Sequence, residues 1–323
     1  MPKIRWGIIG CGDVTEVKSG PGFQQAQGSE LVAVMRRNGE LAKDYAQRHH
    51  VPKWYDKAAA LIHDPDVDAV YIATPPAAHK EYTLAAARAG KPVYVEKPMA
   101  RNYAECQEMI AACEQANVPL FVAYYRRALP RFRKIRALLA EGRIGELRGV
   151  NTALYQPPSG QDLQGAKHWR VDPQIAGGGY FVDLGSHILD LLQYFCGPIT
   201  AVKGFTANQS QLYAAEDLVS AAWRFESGVL GVGLWSFAAA ETIDRTEIIG
   251  SHGKISYATF QNVPIVLQQG EHVEEYAIPH PDHIQQPLIQ TIVDELLGTG
   301  QSPSTGKTGA MTNWVMDQIY KNF

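Results

Sequence analysis

The segment Lys3-Ile-Arg-Trp-Gly-Ile-Ile-Gly-Cys-Gly12 decides the fold of the first part of the chain. A short apolar run leads directly into a turn that contains Gly10 and Gly12, and a helix-like segment follows. Because glycine lets backbone amides and a helix N-terminus approach a pyrophosphate closely, the segment predicts the phosphate site of a dinucleotide. Thr15 replaces the third glycine of G-x-G-x-x-G, which predicts wider packing of helix against strand there. Taken alone, the segment is equally compatible with a tight turn after a buried strand.

The composition is typical of a globular protein with two domains. The chain has 323 residues, 46% of them hydrophobic and 20% charged, with a formal net charge of -3. This charge does not favour nucleic acid as a partner. No apolar run approaches the ~18 residues of a membrane span, and the start Met1-Pro-Lys-Ile4 lacks the features of a leader. We therefore expect a cytoplasmic protein that does not enter a membrane.

One short segment carries an unusual number of basic residues: Arg126, Arg127, Arg131, Arg133, Lys134, Arg136 and Arg143. Such a cluster could grip nucleic acid. Phe132, Ile135 and Leu138 recur at helical spacing through the same segment. We therefore interpret it as an amphipathic helix whose basic groups point into solvent.

The four cysteines predict reduced thiols rather than disulfides or a metal site. They show no C-x-x-C spacing and no pairing pattern that a sequence could support. They are Cys11, Cys106, Cys113 and Cys196.

Alternating strand-like and helix-like runs predict a parallel α/β sheet in the first part of the chain. The predicted strands, residues 4–9, 30–35, 69–73, 92–95 and 120–123, are continuously apolar, as expected for strands covered on both faces. The helix expected over residues 13–27 contains Ser19-Gly-Pro-Gly22, which predicts two helical pieces around a loop. We predict a dinucleotide-binding domain over residues 1–124 and a substrate-binding and oligomerisation domain over 125–323, whose C-terminal helix could pack back on the first.

The second domain is predicted to combine helices with a strand-rich half. A helix is expected over residues 180–195, then strands at 201–206, 218–225, 228–237, 242–249 and 254–259, and two C-terminal helices. The strand at 228–237 is apolar on both sides, which predicts that both faces of its sheet are covered.

Two arginines at the end of the second strand bear on the choice of cofactor. An NAD-binding fold commonly has an acidic residue there, on the ribose hydroxyls, whereas this chain has Arg36 and Arg37. Guanidinium groups suit the 2′-phosphate of NADP, since arginine can form paired charge-assisted hydrogen bonds with it. The alternative is a pair of surface arginines.

Two further motifs follow strands of the predicted sheet. Ala73-Thr-Pro-Pro-Ala-Ala-His79 ends one strand and Glu96-Lys-Pro98 ends the next, so both should reach the crevice that contains the glycine turn. Lys97 follows an apolar run, so its ammonium could be partly desolvated and directed at a substrate; an ordinary salt bridge is the alternative. His79 is interpreted as a structural histidine at a helix start rather than a catalyst.

A third cluster lies in the second domain, from Trp169-Arg170 through Gly177-Gly-Gly179 to Asp183 and His187. The triple glycine is interpreted as backbone that passes close to a ligand. Asp183 and His187 are four residues apart on a predicted helix and therefore share one face, within reach of a common substrate hydroxyl. A zinc site is less favoured, because the cluster lacks a convincing third ligand.

These motifs together resemble the glucose-fructose oxidoreductase, inositol dehydrogenase and rhizopine-catabolism (Gfo/Idh/MocA) family over nearly the whole chain. The resemblance implies an N-terminal Rossmann domain with a doubly wound parallel sheet and a C-terminal α+β domain with an open, mostly antiparallel sheet. By position in the motifs, Lys97 would be the catalytic lysine, Asp183 and His187 the active-site pair, and the bond before Pro98 cis.

Hydride transfer requires a base and a cation near the reacting oxygen, roles that suit His187 and Lys97, with Asp183 holding substrate or orienting the histidine. Tyr124 and Trp169-Arg170 are expected to line the pocket. The residues predicted to bind substrate are Lys97, Tyr124, Asp183 and His187. The residues predicted to bind cofactor are Gly10, Cys11, Gly12, Asp13, Val14, Arg36, Arg37, Thr74, Pro75, Pro76, His79, Glu96, Lys97, Trp169 and Arg170.

Three functions remain open at this point. The preferred one is an oxidoreductase that uses NADP(H), with NAD(H) as the alternative cofactor, on a sugar, polyol, inositol or cyclic diol. The others are a non-catalytic NADP(H)-binding regulator and a structural protein on the same fold. Apolar residues occupy both sides of the strand at 228–237, and one layer of helices covers only one side of its sheet. The exposed face therefore predicts a homodimer or higher homo-oligomer.

Overall fold

The computed structural model describes residues 2–321, which form two compact units. The first comprises the chain up to Leu129 together with Pro281–Ala310, and the second comprises Pro130–His280 with the chain from Met311. No helix within residues 2–321 is both long and apolar enough to cross a membrane.

A six-stranded parallel sheet forms the centre of the first unit, in the order β3-β2-β1-β4-β5-β6. The strands are β1 (Ile4–Ile9), β2 (Ser29–Met35), β3 (Lys53–Tyr55), β4 (Ala69–Ile72), β5 (Val93–Val95) and β6 (Leu120–Val122). The predicted strands are confirmed apart from small differences at their ends. The sequence prediction missed β3, because this edge strand has only three residues, none of them buried, and so gives no continuous apolar run.

The helices of this unit are α1 (Gly20–Gln25), α2 (Gly39–Arg48), α3 (Ala58–Ile62), α4 (His79–Arg88), α5 (Tyr103–Gln115) and α10 (Gln286–Leu296). The predicted loop within the first helical segment is wrong, because a π-helical turn, Thr15–Ser19, runs directly into α1. The Gly20 amide donates to the Thr15 carbonyl, five residues back, and Pro21 then occupies the first turn of α1, where its missing N–H is tolerated.

The second unit contains a mixed sheet of eight strands, in the order β14-β13-β12-β11-β7-β10-β9-β8. The strands are β7 (Leu147–Tyr155), β8 (Ile199–Ala207), β9 (Leu218–Phe225), β10 (Leu230–Ser236), β11 (Ile243–Gly250), β12 (Lys254–Tyr257), β13 (Ile265–Gln269) and β14 (His272–Tyr276). Every pairing is antiparallel except that of β7 with β10, which confirms the mostly antiparallel sheet. The sequence prediction missed β13 and β14, whose outer strand is polar and largely exposed.

The helices of the second unit are α6 (Pro130–Ala140), α7 (Gly160–Leu163), α8 (Pro173–Ala176) and α9 (Ser186–Cys196), while α11 (Gly306–Tyr320) begins in the first unit and continues into the second. A second π-helical turn, Phe181–Gly185, leads directly into α9.

The two faces of the eight-stranded sheet differ in exposure. Val219, Trp223 and Phe225 of β9 are buried. On β10, Leu230 is 62% exposed and Val232 is 51% exposed. Residues 2–321 therefore leave these side chains on one face of the sheet open, and the cover of that face by a second copy of the chain stays a prediction.

The basic segment is only partly solvent-facing. Arg126, Arg127 and Arg131 are buried, whereas Arg133 and Arg136 are exposed. The interpretation that all of these groups point into solvent is therefore wrong. Arg127 and Arg131 donate to backbone carbonyl oxygens of chain segments far away in sequence, and these contacts compensate for lost hydration.

Candidate active site

The glycine turn after β1 has the geometry of a tight strand-to-helix connection. Gly10 has φ +96°, and a Cβ there would lie 2.9 Å from the Thr74 Cγ2 and 3.0 Å from the Ala73 carbonyl oxygen. A side chain at this position is therefore excluded by both backbone conformation and space. A Cβ on Gly12 would meet only the Gly10 carbonyl oxygen, at 3.9 Å, so the backbone surface at Gly12 is open to a ligand.

Thr15 is accommodated at the position of the missing third glycine because its hydroxyl forms a hydrogen bond within the turn. Its Oγ1 donates to the Gly12 carbonyl oxygen at 2.7 Å, and its carbonyl accepts from the Tyr45 hydroxyl at 2.9 Å. Thr15 is fully buried, so it braces the turn from inside the first unit. Beyond it, Asp13 is exposed and Val14 half-buried in the first turn of the helical segment.

Arg36 and Arg37 are exposed immediately after β2. Neither guanidinium forms an ion pair with any residue in the range 2–321. Burial raises the pKa of the Cys11 thiol in the glycine turn to about 11, and the positive charge of nearby Arg36 opposes this shift. The positive charge of Arg36 therefore acts on the glycine turn, while the hydrogen-bond donors of its guanidinium remain available to an anion.

The motif after β4 brings Thr74 against the glycine turn. The Thr74 hydroxyl is buried and has no hydrogen-bond partner within residues 2–321. Such an orphan group commonly marks a place where a ligand or water completes the structure. Pro75 and Pro76 follow and lead through a 3₁₀ turn into α4.

His79 connects this motif to the one after β5. Its ring is fully buried, with Nε2 2.7 Å from the Thr74 carbonyl oxygen and Nδ1 3.1 Å from that of Pro98. Burial lowers the pKa of His79, and the facing carbonyl oxygens oppose that shift. Both ring nitrogens are engaged with backbone, so His79 holds the two strand-end segments together.

Glu96 and Lys97 follow β5, in a segment that is held by hydrogen bonds to the buried Glu96 carboxylate. The Glu96 Oε1 accepts from the Tyr71 hydroxyl at 2.6 Å and from the Gln285 Nε2 at 2.7 Å, and its Oε2 accepts from the Lys97 amide at 3.1 Å. Glu96 is buried, Lys97 is half-buried, and the Lys97–Pro98 peptide bond is cis, as the resemblance implied. Tyr124, also predicted as a pocket residue, follows β6 and is fully buried.

In the second unit, Asp183 and His187 lie in one continuous helical run. Asp183 belongs to the π-helical turn and is half-buried, while His187 is in the first turn of α9 and is 3% exposed. The Arg170 Nε lies 3.5 Å from the Asp183 Oδ2, and the Arg170 guanidinium lies 4.6 Å from the centre of the Trp169 ring. The structure thus places Arg170, which was predicted to line the pocket with Trp169, beside the Asp183 carboxylate.

The triple glycine allows close internal packing at two of its positions. A Cβ on Gly178 would lie 2.5 Å from the Val182 Cγ2, and one on Gly179 would lie 2.8 Å from the Glu216 carbonyl oxygen. Gly177, at φ +87°, ends α8. The chain itself fills the space on the Cβ side of Gly178 and Gly179, and the interpretation of the triple glycine as backbone close to a ligand stays a prediction.

Comparison with known proteins agrees with this geometry in both units. Residues 4–124 match the oxidoreductase family with an NAD-binding Rossmann fold, and residues 132–256 match the GFO/IDH/MocA C-terminal domain. The chain belongs to the GFO/IDH/MocA oxidoreductase family.

Individual relatives support this membership over the full length. The chain is 39% identical to Oxidoreductase P35 of Formosa agariphila, with 98% of each chain covered. It is 32% identical to the 1,5-anhydro-D-fructose reductase of Ensifer adhaerens, over 94% of this chain and 92% of the relative. The crystal structure of the aldose-aldose oxidoreductase from Caulobacter crescentus complexed with glycerol superposes with a TM-score of 0.88 at 26% identity, covering 99% of this chain and 97% of that one.

The first unit of this GFO/IDH/MocA member fits a nicotinamide dinucleotide. The open backbone at Gly12 admits a pyrophosphate, the Thr74 hydroxyl can complete its hydrogen bonding on a ligand, and Arg36 and Arg37 supply positive charge.

Sequence reasoning missed two carboxylates that brace the second unit. The Asp162 carboxylate is 1% exposed and accepts from the Ser159 hydroxyl at 2.5 Å and the Tyr180 hydroxyl at 3.0 Å, with the His168 Nε2 at 3.0 Å. Burial tends to raise the pKa of Asp162, but these hydrogen bonds outweigh it and hold the pKa below its usual range. Ser159 and Asp162 form a capping box, whose S-x-x-D spacing is visible in the sequence.

Glu216 is the second missed carboxylate. Its Oε1 accepts from the Gly179 amide at 2.9 Å and from the Tyr320 hydroxyl at 2.7 Å. Burial raises the pKa of Glu216, and those two donors oppose the shift. No local pattern marks this residue, since its partners lie far away in sequence.

Proposed function

We propose that this family member is a dehydrogenase or reductase that prefers NADP(H) over NAD(H) and acts on a CH–OH or carbonyl carbon of a carbohydrate-like substrate. The cofactor preference rests on Arg36 and Arg37, which are exposed at the end of β2 and unpaired by any carboxylate within residues 2–321. A 2′-phosphate offers such groups a doubly charged partner.

The chemistry is carried by Lys97 in the first unit and by Asp183 and His187 in the second. A bound nicotinamide would accept hydride from the substrate carbon or return it. His187 takes the hydroxyl proton during oxidation and returns it during reduction. The Lys97 ammonium stabilises negative charge that develops on a substrate oxygen, and Asp183 orients a substrate hydroxyl or the imidazole.

The observation that carries this proposal is the bracing of Lys97. Lys97 follows Glu96, whose carboxylate is held by Tyr71 and Gln285 and accepts from the Lys97 amide. The backbone at Lys97 is therefore fixed before any substrate binds. Groups that stabilise developing charge are most effective when they need no reorganisation during the reaction.

The substrate class is inferred from relatives. Among them are a 1,5-anhydro-D-fructose reductase at 32% identity and the trans-1,2-dihydrobenzene-1,2-diol dehydrogenase of Bos taurus at 29% identity. A myo-inositol 2-dehydrogenase of Thermotoga maritima is 29% identical. Their substrates share a ring with neighbouring oxygen-bearing carbons. We therefore propose a sugar, anhydro-sugar, inositol, polyol or cyclic diol for this chain.

A substrate panel tests the function directly. Sugars, anhydro-sugars, inositols and diols are incubated with NADP⁺ or NAD⁺, and the corresponding carbonyl compounds with NADPH or NADH, while the absorbance of reduced nicotinamide is followed. Turnover of at least one compound, faster with the phosphorylated cofactor, is expected. Tight NADP(H) binding without turnover of any compound would instead favour a non-catalytic regulator.

We further propose a homodimer or higher homo-oligomer that buries the apolar face of the eight-stranded sheet, where Phe205, Leu230 and Val232 are exposed. We also propose a cytoplasmic location, which the four free cysteine thiols support.

A further inference from the structure

The loop of residues 258–263, between β12 and β13, is held by a carboxylate of the neighbouring strand β11. The Asp244 Oδ1 accepts from the Thr259 amide at 2.9 Å. Its Oδ2 accepts from the amides of Phe260 at 2.6 Å and Gln261 at 3.0 Å. Three consecutive backbone donors on one carboxylate fix the path of the loop at Phe260.

A buried guanidinium holds the same loop through its carbonyl groups. Arg131, in the first turn of α6, is 1% exposed. Its Nη1 donates to the Gln261 carbonyl oxygen at 3.0 Å and to the Asn262 Oδ1 at 3.3 Å, and its Nη2 donates to the Val263 carbonyl oxygen at 2.9 Å. The planar guanidinium of arginine can donate to several acceptors at fixed angles. Arg131 therefore holds carbonyl groups of the loop, while Asp244 holds its backbone amides.

Between these two anchors the ring of Phe260 meets His187. The ring centres are 5.9 Å apart and the ring planes are inclined by 78°. His187 lies on α9, which packs against α6, the helix that carries Arg131. A T-shaped aromatic contact of this kind is favourable and restricts rotation of the smaller ring.

We propose that the 258–263 loop positions the His187 imidazole, with Phe260 as the contacting side chain and with Arg131 and Asp244 acting through Phe260. The proposal rests on the proposed function to the extent that His187 is the acid-base residue. A proton-transfer group must lie within about 2.6–3.2 Å of its partner, and a misplacement of about 1 Å can lower the rate ~10²-fold. Freeing the imidazole should therefore lower turnover more than ligand binding.

The experiment compares Phe260→Ala and Asp244→Asn with Asp217→Asn as a matched control. Asp217 accepts from the amides of Gln209 at 2.9 Å and Ser210 at 2.6 Å, so it holds a different loop of the same unit in the same way. Each full-length variant carries ¹⁵N-labelled histidine, and the His187 signals are assigned by their loss in His187→Asn. Thermal unfolding of each variant measures how much stability the protein loses when a side chain that holds a loop is removed.

We expect the His187 ring signals to shift or broaden in Phe260→Ala and Asp244→Asn but not in Asp217→Asn. With a confirmed substrate, kcat should fall roughly 10-fold in the first two variants while KM changes less than about twofold. Phe260→Leu, which keeps most of the apolar bulk, should recover part of the loss.

Unchanged His187 signals in a folded Phe260→Ala variant would overturn the proposal, and so would equal disturbance by Asp217→Asn. If Asp244→Asn does not fold, Phe260→Ala decides the question, because it leaves both anchors in place. The NMR measurement needs no substrate, so the positioning role can stand or fall even if no compound in the panel is turned over.

Discussion

Arg36 and Arg37 occupy the position at which a single acidic side chain would favour ribose hydroxyls over a phosphate. Their exposure directly after β2 leaves both guanidinium groups accessible to a ligand. We predict that Arg36→Ala and Arg37→Ala each weaken NADPH binding by about 1.5 to 3 kcal/mol, because each loses charge-assisted contacts, while NADH binding changes little. Isothermal titration with both cofactors measures this ratio.

Arg88→Ala is the matched control, since Arg88 is an exposed arginine at the end of α4. It should leave both affinities unchanged. Equal dissociation constants for NADPH and NADH in the unmodified protein would remove the basis of the cofactor preference.

His187 is the residue on which the acid-base assignment depends. General acid-base catalysis typically contributes ~10²- to 10⁴-fold, so we predict that His187→Ala lowers kcat by about that factor. NADPH affinity should stay near normal, because the glycine turn and the arginines belong to the first unit. Steady-state kinetics and cofactor titration check the two parts separately.

His63→Ala, a change of an exposed histidine after α3, should leave both quantities unchanged. Full turnover in a folded His187→Ala variant would make Lys97 the leading candidate for proton transfer instead.

At the scale of elements, an ionic cluster ties the helix after the glycine turn to α2. The Glu16 Oε1 lies 2.8 Å from the Arg48 Nη2, and the Glu16 Oε2 lies 2.7 Å from the His49 Nε2. Hydrogen bonds from Arg48 lower the pKa of Glu16 to about 2, against the effect of burial. Arg48 is the last residue of α2 and His49 follows it, so this cluster fixes the C-terminal end of α2 against the segment after the glycine turn.

We predict that Glu16→Gln lowers the free energy of unfolding by about 1 kcal/mol at neutral pH, a value kept small because the carboxylate is partly exposed and screened. A carboxyl whose pKa is depressed by folding stabilises the protein above its unfolded pKa. This stabilisation is lost as pH falls toward the folded pKa. The difference in the free energy of unfolding between Glu16→Gln and the unmodified protein should therefore shrink below pH 4.5, the unperturbed pKa of glutamate, and disappear near pH 2. Urea unfolding across this range measures it.

Asp44→Asn is the control for this cluster, because the Asp44 Oδ2 accepts from the Arg48 Nε at 2.7 Å within α2 itself. It should cost less stability. A difference between Glu16→Gln and the unmodified protein that stayed constant with pH would exclude the charge as its cause.

At the scale of the whole molecule, the eight-stranded sheet carries exposed apolar side chains, among them Phe205, Leu230 and Val232, on a face that the described chain leaves open. Val232 lies between Ala222 of β9 and Asn151 of β7 on this face. We predict that Val232→Glu shifts a homodimer toward monomer at micromolar concentration, because it places a charge in an apolar interface. Sedimentation velocity measures the change in mass.

Leu41→Glu is the matched control, since Leu41 of α2 is also an exposed apolar residue, at 42%. It should leave the oligomer intact. A monomer in the unmodified protein would contradict the proposed interface itself.

The sequence by itself determined the parallel sheet and the positions of the site motifs. An apolar run followed by Gly10 and Gly12 specifies a strand and a turn locally, and strand-end motifs of a parallel sheet gather at one edge whatever the details of packing. The helical pattern of residues 180–195 placed Asp183 and His187 in one helical run, but only the structure showed that the turn holding Asp183 is π-helical.

Only the tertiary structure decided which polar groups are buried and what holds them. Periodicity indicated an apolar stripe near Arg131 but could not show that its guanidinium meets carbonyl oxygens of a loop more than a hundred residues later. The same holds for Glu216, which accepts from Gly179 and Tyr320, and for Gln285, which supports Glu96. Local patterns record propensity and spacing along the chain, whereas these contacts depend on segments distant in sequence that folding brings together.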